Sequence, residues 1–229
     1  MVRRIANRAS AAVSKLFIDW AGGERRPVTF DVERDYPALL EIRNVWQEIR
    51  AEAIALLQQV SGLPRYHDLD ALQEMISAEQ NGANWRVLML YCYGERFEKN
   101  IARCPATMRA IARVPGVAQA FLSVLEPGKS VPAHEGPLSG VLRYHLGLVT
   151  PKIDPPSIRV HDQVHIWDEG HDFMFDDSWN HEVSNISKEI RVILIVDVMR
   201  PMPWHLKAIN WIYLFVLGRM FYARGVLKS

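Results

Sequence analysis

The sequence contains only two cysteines, Cys92 and Cys104, among 229 residues. So few thiols argue against a disulfide scaffold or a cysteine-rich zinc site, and they are typical of a protein from a reducing compartment. Charge of one sign is also lacking, because 27 basic residues face 26 acidic ones. The net charge therefore gives no reason to expect nucleic acid as a partner. No continuous apolar signal segment opens the chain, since Arg3, Arg4 and Arg8 interrupt it, and we expect a cytoplasmic protein.

Apolar residues are plentiful, at 49% of the chain, which is enough for one domain with a buried core. From residue 85 onward, short apolar runs alternate with turn signals such as Pro127-Gly128 and Pro155-Pro156. This pattern predicts a β-sandwich or barrel. A helix is predicted from Pro105 to Ile111. The predicted strands cover about residues 87–93, 117–125, 140–149, 157–166, 172–175, 180–186 and 190–198.

Both ends of the chain have helical patterns. Residues 2–20 are basic and carry apolar residues at helical spacing, which predicts a helix that packs on the domain, lies at a membrane surface or serves in targeting. Residues 31–61 predict one or two further helices, so we assign 1–84 to a helical region packed on the core. The apolar run 209–217 is too short to span a bilayer. It predicts an apolar helix within 202–229 that contacts protein, a second copy or, given Arg219 and Arg224, a membrane.

Two histidines and an arginine stand in an order that suits iron chemistry. His134 lies at the edge of a strand, His181 follows a later strand, and Arg191 begins the next strand ten residues on. Iron(II) binds neutral imidazoles together with hard oxygen donors and keeps open positions for a cosubstrate and O₂. The far carboxylate of 2-oxoglutarate needs a fixed cation, which the fork of an arginine supplies. The pattern thus indicates a 2-oxoglutarate oxygenase.

The surrounding residues resemble the aspartyl/asparaginyl β-hydroxylases, a family whose relatives include bacterial lipid A hydroxylases. The resemblance covers about residues 85–201 and is strongest in 131–137, 142–148, 175–183 and 191–197. It implies a fold that is mainly β with flanking helices, namely a double-stranded β-helix, or cupin-like jelly roll, over 85–201. It also implies an enzyme that uses Fe(II), 2-oxoglutarate and O₂ to hydroxylate its substrate.

The resemblance implies a role for each matching residue. His134 and His181 match the metal ligands, and Arg191 and Arg143 match arginines that bind the cosubstrate. Further positions of the cosubstrate pocket are matched by His145, Ser123 and Tyr91. The histidines outside this pattern are expected at the surface, namely His161, His165, His171 and His205.

Gly136 departs from the superfamily pattern, because most members place Asp or Glu two residues after the first metal histidine. A site with two histidines leaves more metal positions to water, and a carboxylate that orients bound water offsets part of the lost affinity. We expect Asp177, four residues before His181, in this role, with Glu135 as the alternative. Asp176 and Asp177 are also typical turn residues.

The substrate signals conflict. By resemblance, Gly136 favours the aspartyl/asparaginyl branch, whereas 142–151 and 200–202 are closer to the lipid A hydroxylases. We expect hydroxylation at the β-carbon of an aspartyl or asparaginyl residue, or of a related small molecule. The alternative is a lipid acyl chain at a membrane surface. A non-catalytic jelly-roll protein and a cupin with other metal chemistry are further alternatives.

Overall fold

The structure is a computed structural model that describes residues 2–69 and 74–223. Helices precede and follow a β-rich centre. The α-helices are α1 (Val2–Ala21), α2 (Val32–Asp35), α3 (Leu40–Arg43), α4 (Trp46–Leu57), α5 (Tyr66–Leu69), α6 (Glu74–Ser77), α7 (Glu98–Ile101), α8 (Pro105–Ile111) and α9 (Trp204–Trp211). A π-helix (Ile212–Ala223) continues α9, and short 3₁₀ turns cover Gly23–Arg25, Pro37–Leu39 and Val60–Gly62.

Eleven strands are described, and they form two antiparallel sheets. They are β1 (Thr29–Phe30), β2 (Trp85–Cys92), β3 (Glu95–Arg96), β4 (Val117–Leu125), β5 (Val131–His134), β6 (Val141–Val149), β7 (Ser157–Val160), β8 (Gln163–Ile166), β9 (Asp172–Phe175), β10 (His181–Ser184) and β11 (Arg191–Met199). The large sheet has the order β1-β9-β6-β11-β4-β2-β3, and the small sheet has the order β5-β10-β7-β8.

The large sheet is buried on both faces. One face carries Leu88 and Leu122 against the helices, whereas the other carries Met89 and Phe121 into the space between the sheets, where they share a core with Val131 of the small sheet. Because side chains alternate along a strand, two buried faces require the nearly unbroken apolar runs of β2, β4 and β11. Facing sheets of this kind confirm the predicted mainly β jelly roll with flanking helices.

The N-terminal region, predicted to be helical, also contributes a strand. Thr29 and Phe30 pair with Phe175 and Met174 of β9 and so extend the large sheet. Where one or two helices were predicted, segment 31–61 contains the four-residue helices α2 and α3, the twelve-residue helix α4, the start of the 3₁₀ turn Val60–Gly62, and the 3₁₀ turn Pro37–Leu39. Pro37 begins the latter turn, where its missing N–H costs no hydrogen bond.

Two further segments compare directly with their predictions. The predicted helix Pro105–Ile111 is confirmed. The run 157–166, predicted as one strand, is a hairpin of β7 and β8, with His161 at its turn at a φ of 53°. Within residues 2–69 and 74–223, no helix has both the length and the apolarity needed to cross a bilayer. Arg224, predicted to flank the tail, lies outside the described residues.

Candidate active site

His134 and His181 face each other across neighbouring strands of the small sheet. They are cross-strand partners of β5 and β10, and their ring centroids are 4.2 Å apart. His181 is almost fully buried, with 3% of its surface exposed. The strand pairing thus places side by side two imidazoles that are 47 residues apart in the sequence.

Backbone carbonyls fix the protonation of both rings. Nδ1 of His134 donates to the Pro132 carbonyl at 2.9 Å, and Nδ1 of His181 donates to the Trp179 carbonyl at 2.8 Å. Each neutral ring therefore keeps an unprotonated Nε2, which is the form that binds metals. Burial lowers the pKa of His181 to about 3, with repulsion from His134 as a second cause, and burial also lowers the pKa of His134.

Asp177 lies beside Gly136, the position that lacks a carboxylate. An ideal Cβ built on Gly136 meets the Asp177 carboxylate at 2.5 Å, and the Gly136 amide donates to the Asp177 carbonyl at 2.7 Å. Glu135, the alternative residue, is exposed. In the described part of the chain, no group of three or more His, Cys, Asp or Glu side chains has the arrangement of a metal site.

Asp177 is buried and belongs to a small charge network. Its Oδ2 lies 3.3 Å from Nη2 of Arg143, and Arg143 also makes two 2.8 Å hydrogen bonds to Asp197. Burial raises the pKa of Asp177 to about 7, although Arg143 opposes this shift. Oδ1 of Asp177 has no hydrogen-bond partner. The cosubstrate role that the resemblance implies for Arg143 stays a prediction, and in this structure its ion pairs are internal to the chain.

Arg191 differs from Arg143 because it is buried without a carboxylate partner among the described residues. Its Nη2 donates to Ser123 Oγ at 3.0 Å, its guanidinium lies 4.7 Å from the centre of the Trp167 ring, and its Nε has no partner. Trp85 also donates to Ser123, at 2.9 Å. Burial lowers the pKa of Arg191 to about 9. An uncompensated buried cation is costly, and an anionic ligand would relieve that cost.

His145 lies close to Arg191 through a shared neighbour. Trp167 stacks under Arg191 and donates its indole N–H to Nδ1 of His145 at 3.2 Å. That bond leaves the proton of the neutral ring on Nε2, which is buried and has no partner. Burial lowers the pKa of His145 well below its usual range. His145 thus offers a neutral N–H donor near the Arg191 cation.

Tyr91 lies on the opposite face of the large sheet, which corrects the prediction that it lines the pocket. Its side chain packs against the core under the helices. The cause is an irregularity in the pairing of β2 with β4 between Met89 and Tyr91. An extra residue on one strand reverses the alternation beyond it, so Tyr91 faces away from the space that Met89 enters.

Asp176 holds the turn that precedes His181. Its carboxylate accepts from the Ser178 hydroxyl at 2.6 Å and pairs with Arg200 and with Arg26, whose Nε lies 3.2 Å away. Arg26 also stacks on Trp179, with its guanidinium 3.6 Å from the ring centre. Asp176 is therefore a structural turn residue, whereas its neighbour Asp177 faces Gly136.

Several of these contacts were not predicted from the sequence. Trp85, Trp167 and Arg26 each support a predicted site residue or the turn before His181, but they come from distant segments. His165, expected at the surface, is half-buried and stacks on Phe173 with centroids 4.9 Å apart. The tryptophans Trp85 and Trp167 are visible in the sequence, but no local pattern shows which face of a sheet their side chains occupy.

A cavity of 440 Å³ lies farther along the two strands that carry His134 and His181, and neither histidine lines it. Its lining includes Val131 and Val183, which are cross-strand partners in the same two strands. Val183 is two residues from His181, about 7 Å along the strand, and Val131 is three residues from His134, about 10 Å. Met75 and Ile76 supply an apolar wall. The cavity is also lined by Glu182 and by Lys129, which is 3% exposed and forms no ion pair among the described residues.

The donor atoms fit a divalent iron and a dicarboxylate. The two unprotonated imidazole nitrogens suit the metal, and the orphaned Nε of Arg191 together with the orphaned Nε2 of His145 suits an anionic oxygen ligand. Both sets of groups belong to the space between the two sheets. The chain's own residues therefore offer two nitrogen donors to a metal and a cation with a neutral N–H donor to a carboxylate.

Comparison with known proteins adds three findings. The family described as Aspartyl/Asparaginyl beta-hydroxylase matches residues 43–201. An ornithine lipid ester-linked acyl 2-hydroxylase of Rhizobium tropici is 39% identical over 186 residues, covering 81% of this chain and 62% of that protein. The aspartyl/asparaginyl beta-hydroxylase of Homo sapiens is 33% identical over 175 residues, covering 74% of this chain and 22% of that protein. The chain thus spans less than two thirds of each relative.

Among solved structures, a prolyl-4-hydroxylase of Pseudomonas putida is similar with a TM-score of 0.46 and 13% identity. The match covers 69% of this chain and 88% of that one.

Proposed function

Because the chain belongs to the aspartyl/asparaginyl β-hydroxylase family, we propose that it is an Fe(II)- and 2-oxoglutarate-dependent dioxygenase. The family resemblance inferred from the sequence is confirmed, and hydroxylation is the activity by which the relatives are named. The observation that carries the cofactor proposal is Arg191, a buried cation that no described carboxylate neutralises. Such a group is costly in a protein that binds no anion.

The proposed roles follow from the contacts. His134 and His181 would hold the iron through Nε2, and Arg191, positioned by Ser123, would bind the far carboxylate of 2-oxoglutarate. Iron with 2-oxoglutarate supplies the oxidising power that inserts one oxygen atom of O₂ into a C–H bond, leaving succinate and CO₂. His145 would donate a hydrogen bond to the same cosubstrate.

Asp177 would act on the metal through water. Its unpartnered Oδ1 provides an acceptor beside the residue that lacks a ligand carboxylate, and Arg143 holds Oδ2. Phe175 packs edge-on to His181, with ring centroids 5.7 Å apart. Together with the other aromatic residues between the sheets, it would exclude bulk water. A dry site protects an oxidising reaction from side reactions.

The substrate we propose is the acyl chain of a lipid. The cavity along the two histidine-bearing strands has an apolar wall of Met75, Ile76 and Val131. The rhizobial relative, named for acyl hydroxylation, matches more of this chain than the human one does. The cation of Lys129 would face the ester or an anionic head group.

An aspartyl or asparaginyl side chain is the second candidate, which the sequence had favoured. It is supported by Gly136, by the human relative and by Lys129, because an unpaired cation in the cavity would also suit a carboxylate substrate.

Anaerobic titration of iron(II) into the protein with 2-oxoglutarate tests the cofactor proposal. We expect a weak visible charge-transfer band that His181→Ala and Arg191→Ala abolish, whereas exposed His171→Ala leaves it unchanged. No band in a protein shown to bind iron would contradict the proposal. Substrate-dependent succinate release, measured with acylated lipids and with Asp- or Asn-containing peptides, then separates the two candidates.

A further inference from the structure

The helices at the two ends of the described chain pack on one cluster. Phe17 of α1, Leu206 of α9 and Leu214 of the π-helix are buried together with Leu138 and Val141. Along α9 and the π-helix that continues it, the buried residues Leu206, Asn210 and Leu214 recur every four residues, so they lie on one side.

The remaining sides of these helices expose large apolar residues. Trp204 is 82% exposed and Trp211 is 53% exposed. We define the terminal face as the exposed apolar residues of the three helices, which are Leu16, Trp20, Trp204, Ile209, Trp211, Ile212, Val216, Leu217 and Met220. Leu16 and Trp20 on α1, and Ile212, Val216 and Met220 on the π-helix, recur every four residues and so form stripes. A monomer in water gains nothing from such stripes.

The positive charge of the two terminal segments favours an anionic surface as the partner of the terminal face. Residues 2–21 and 204–229 contain eight basic residues and one acidic residue, although the whole chain has a net charge of only +1. The remainder of the chain is therefore net acidic. Helices with exposed tryptophans and with basic residues in their sequence suit the interface of an anionic bilayer, where indole rings lie at head-group depth. Repulsion between like charges disfavours a second copy as the occupant.

We propose that the terminal face docks the protein on the surface of an anionic lipid bilayer. The docking is peripheral, because no described helix crosses a membrane. The inference rests on the proposed function in one respect, because docking would bring the proposed active site to a lipid substrate.

The terminal face is attached to the segment that follows His134. Ser14 of α1 exchanges hydrogen bonds with Ser139, including one of 2.7 Å to the Ser14 carbonyl, and Asn210 of α9 donates to the Gly140 carbonyl at 2.6 Å. A Cβ on Gly140 would overlap the amide of Asn210, so this approach requires glycine. Docking would therefore place the loop beyond the histidine pair next to the lipid.

Co-sedimentation of the full chain with vesicles tests the inference. We expect binding to phosphatidylglycerol vesicles, weakened by salt, to exceed binding to pure phosphatidylcholine by about tenfold or more. Trp204→Glu combined with Trp211→Glu should weaken it about tenfold or more. The matched control is Val164→Glu with Ile166→Glu, which alters residues 64% and 60% exposed on β8 and should change nothing.

Circular dichroism confirms that each variant is folded before vesicles are added. Equal binding by both double variants, or no binding by the original protein, overturns the inference. So does a dimer, measured by light scattering, that the tryptophan variant dissociates, because the terminal face is then a subunit contact. The assay contains neither iron nor 2-oxoglutarate, so it keeps its meaning if the protein proves inactive.

Discussion

The carboxylate of Asp177 occupies the space into which any side chain at position 136 would project. The distance from an ideal Gly136 Cβ to the Asp177 carboxylate is 2.5 Å, shorter than real Cβ contacts allow. The missing carboxylate at 136 and the carboxylate at 177 are therefore alternatives for one volume. The lack of a side chain at Gly136 leaves room for the carboxylate of Asp177.

Gly136→Ala should expel Asp177 and weaken iron(II) binding about 10- to 100-fold, if Asp177 orients metal-bound water. Anaerobic titration measures the dissociation constant. Gly62→Ala is the matched control, because a Cβ there meets nothing within 4 Å. In the double variant with Asp177→Ala, the alanine at 136 should add little to the loss caused by Asp177→Ala alone. Fully additive losses would show that the two residues act separately.

Arg191→Met should stabilise the protein without ligands by about 1–3 kcal/mol, because it removes a buried cation that has no carboxylate partner. The same change should abolish the increase in Tm that 2-oxoglutarate gives the original protein. Differential scanning fluorimetry measures both effects. A lower Tm in the variant would mean that Ser123 and Trp167 already satisfy the guanidinium.

Arg143→Met should have the opposite effect. Arg143 pairs with Asp197 and Asp177, so its loss leaves two buried carboxylates without a cation. Breaking a buried ion pair costs about 3–5 kcal/mol. Urea unfolding measures the free energy of unfolding, and a change of less than about 1 kcal/mol would show that solvent reaches this network.

His181 should make the metal-free protein less stable as the pH falls below about 6.5, whereas Asp177, whose pKa burial raises to about 7, contributes the opposite trend over the same range. Burial and His134 lower the pKa of His181 to about 3. Between that value and the ordinary histidine pKa, the unfolded chain binds a proton that the folded chain does not. The contribution of His181 to the free energy of unfolding should therefore fall by about 2 kcal/mol from pH 7 to pH 5. The difference in pH dependence between the original protein and His181→Leu measures this contribution, whereas exposed His171→Gln should leave the pH dependence unchanged.

Arg26 should act as a positioning residue for the metal histidines. It binds Asp176 and stacks on Trp179, whose carbonyl accepts from His181. Arg26→Leu should cost about 1–3 kcal/mol of stability and also weaken iron(II) binding in the protein that remains folded. Arg26→Lys should recover part of that affinity, because it keeps the charge. Exposed Arg25→Leu is the control, and unchanged iron binding in Arg26→Leu would reduce Arg26 to a stabilising role.

The elements predicted from the sequence are those with a strong local cause. Apolar runs mark β4 and β11, and Pro105 marks the start of α8. The hairpin at His161 was missed because its turn contains neither glycine nor proline. Strand β1 was missed because two residues form a strand only through their pairing with β9.

Only the site residues that belong to sequence motifs could be predicted. The pairing of β5 with β10 brings His134 and His181 together, as the predicted metal site requires. The environment of Arg191 depends on Trp85 and Trp167, which approach from distant strands and loops, so no local pattern shows it. Tyr91 was misplaced because a single extra residue in β2 inverts an alternation that sequence alone presents as regular.

Strand β1 limits how far the protein can be shortened from its N-terminal side. A shortened protein that began at residue 43, where the family match begins, would lose β1 and Arg26 together. It would leave β9, which contains Phe173 and Phe175, as an open edge strand and so as a template for aggregation. The smallest recombinant fragment worth expressing therefore starts upstream of Arg26.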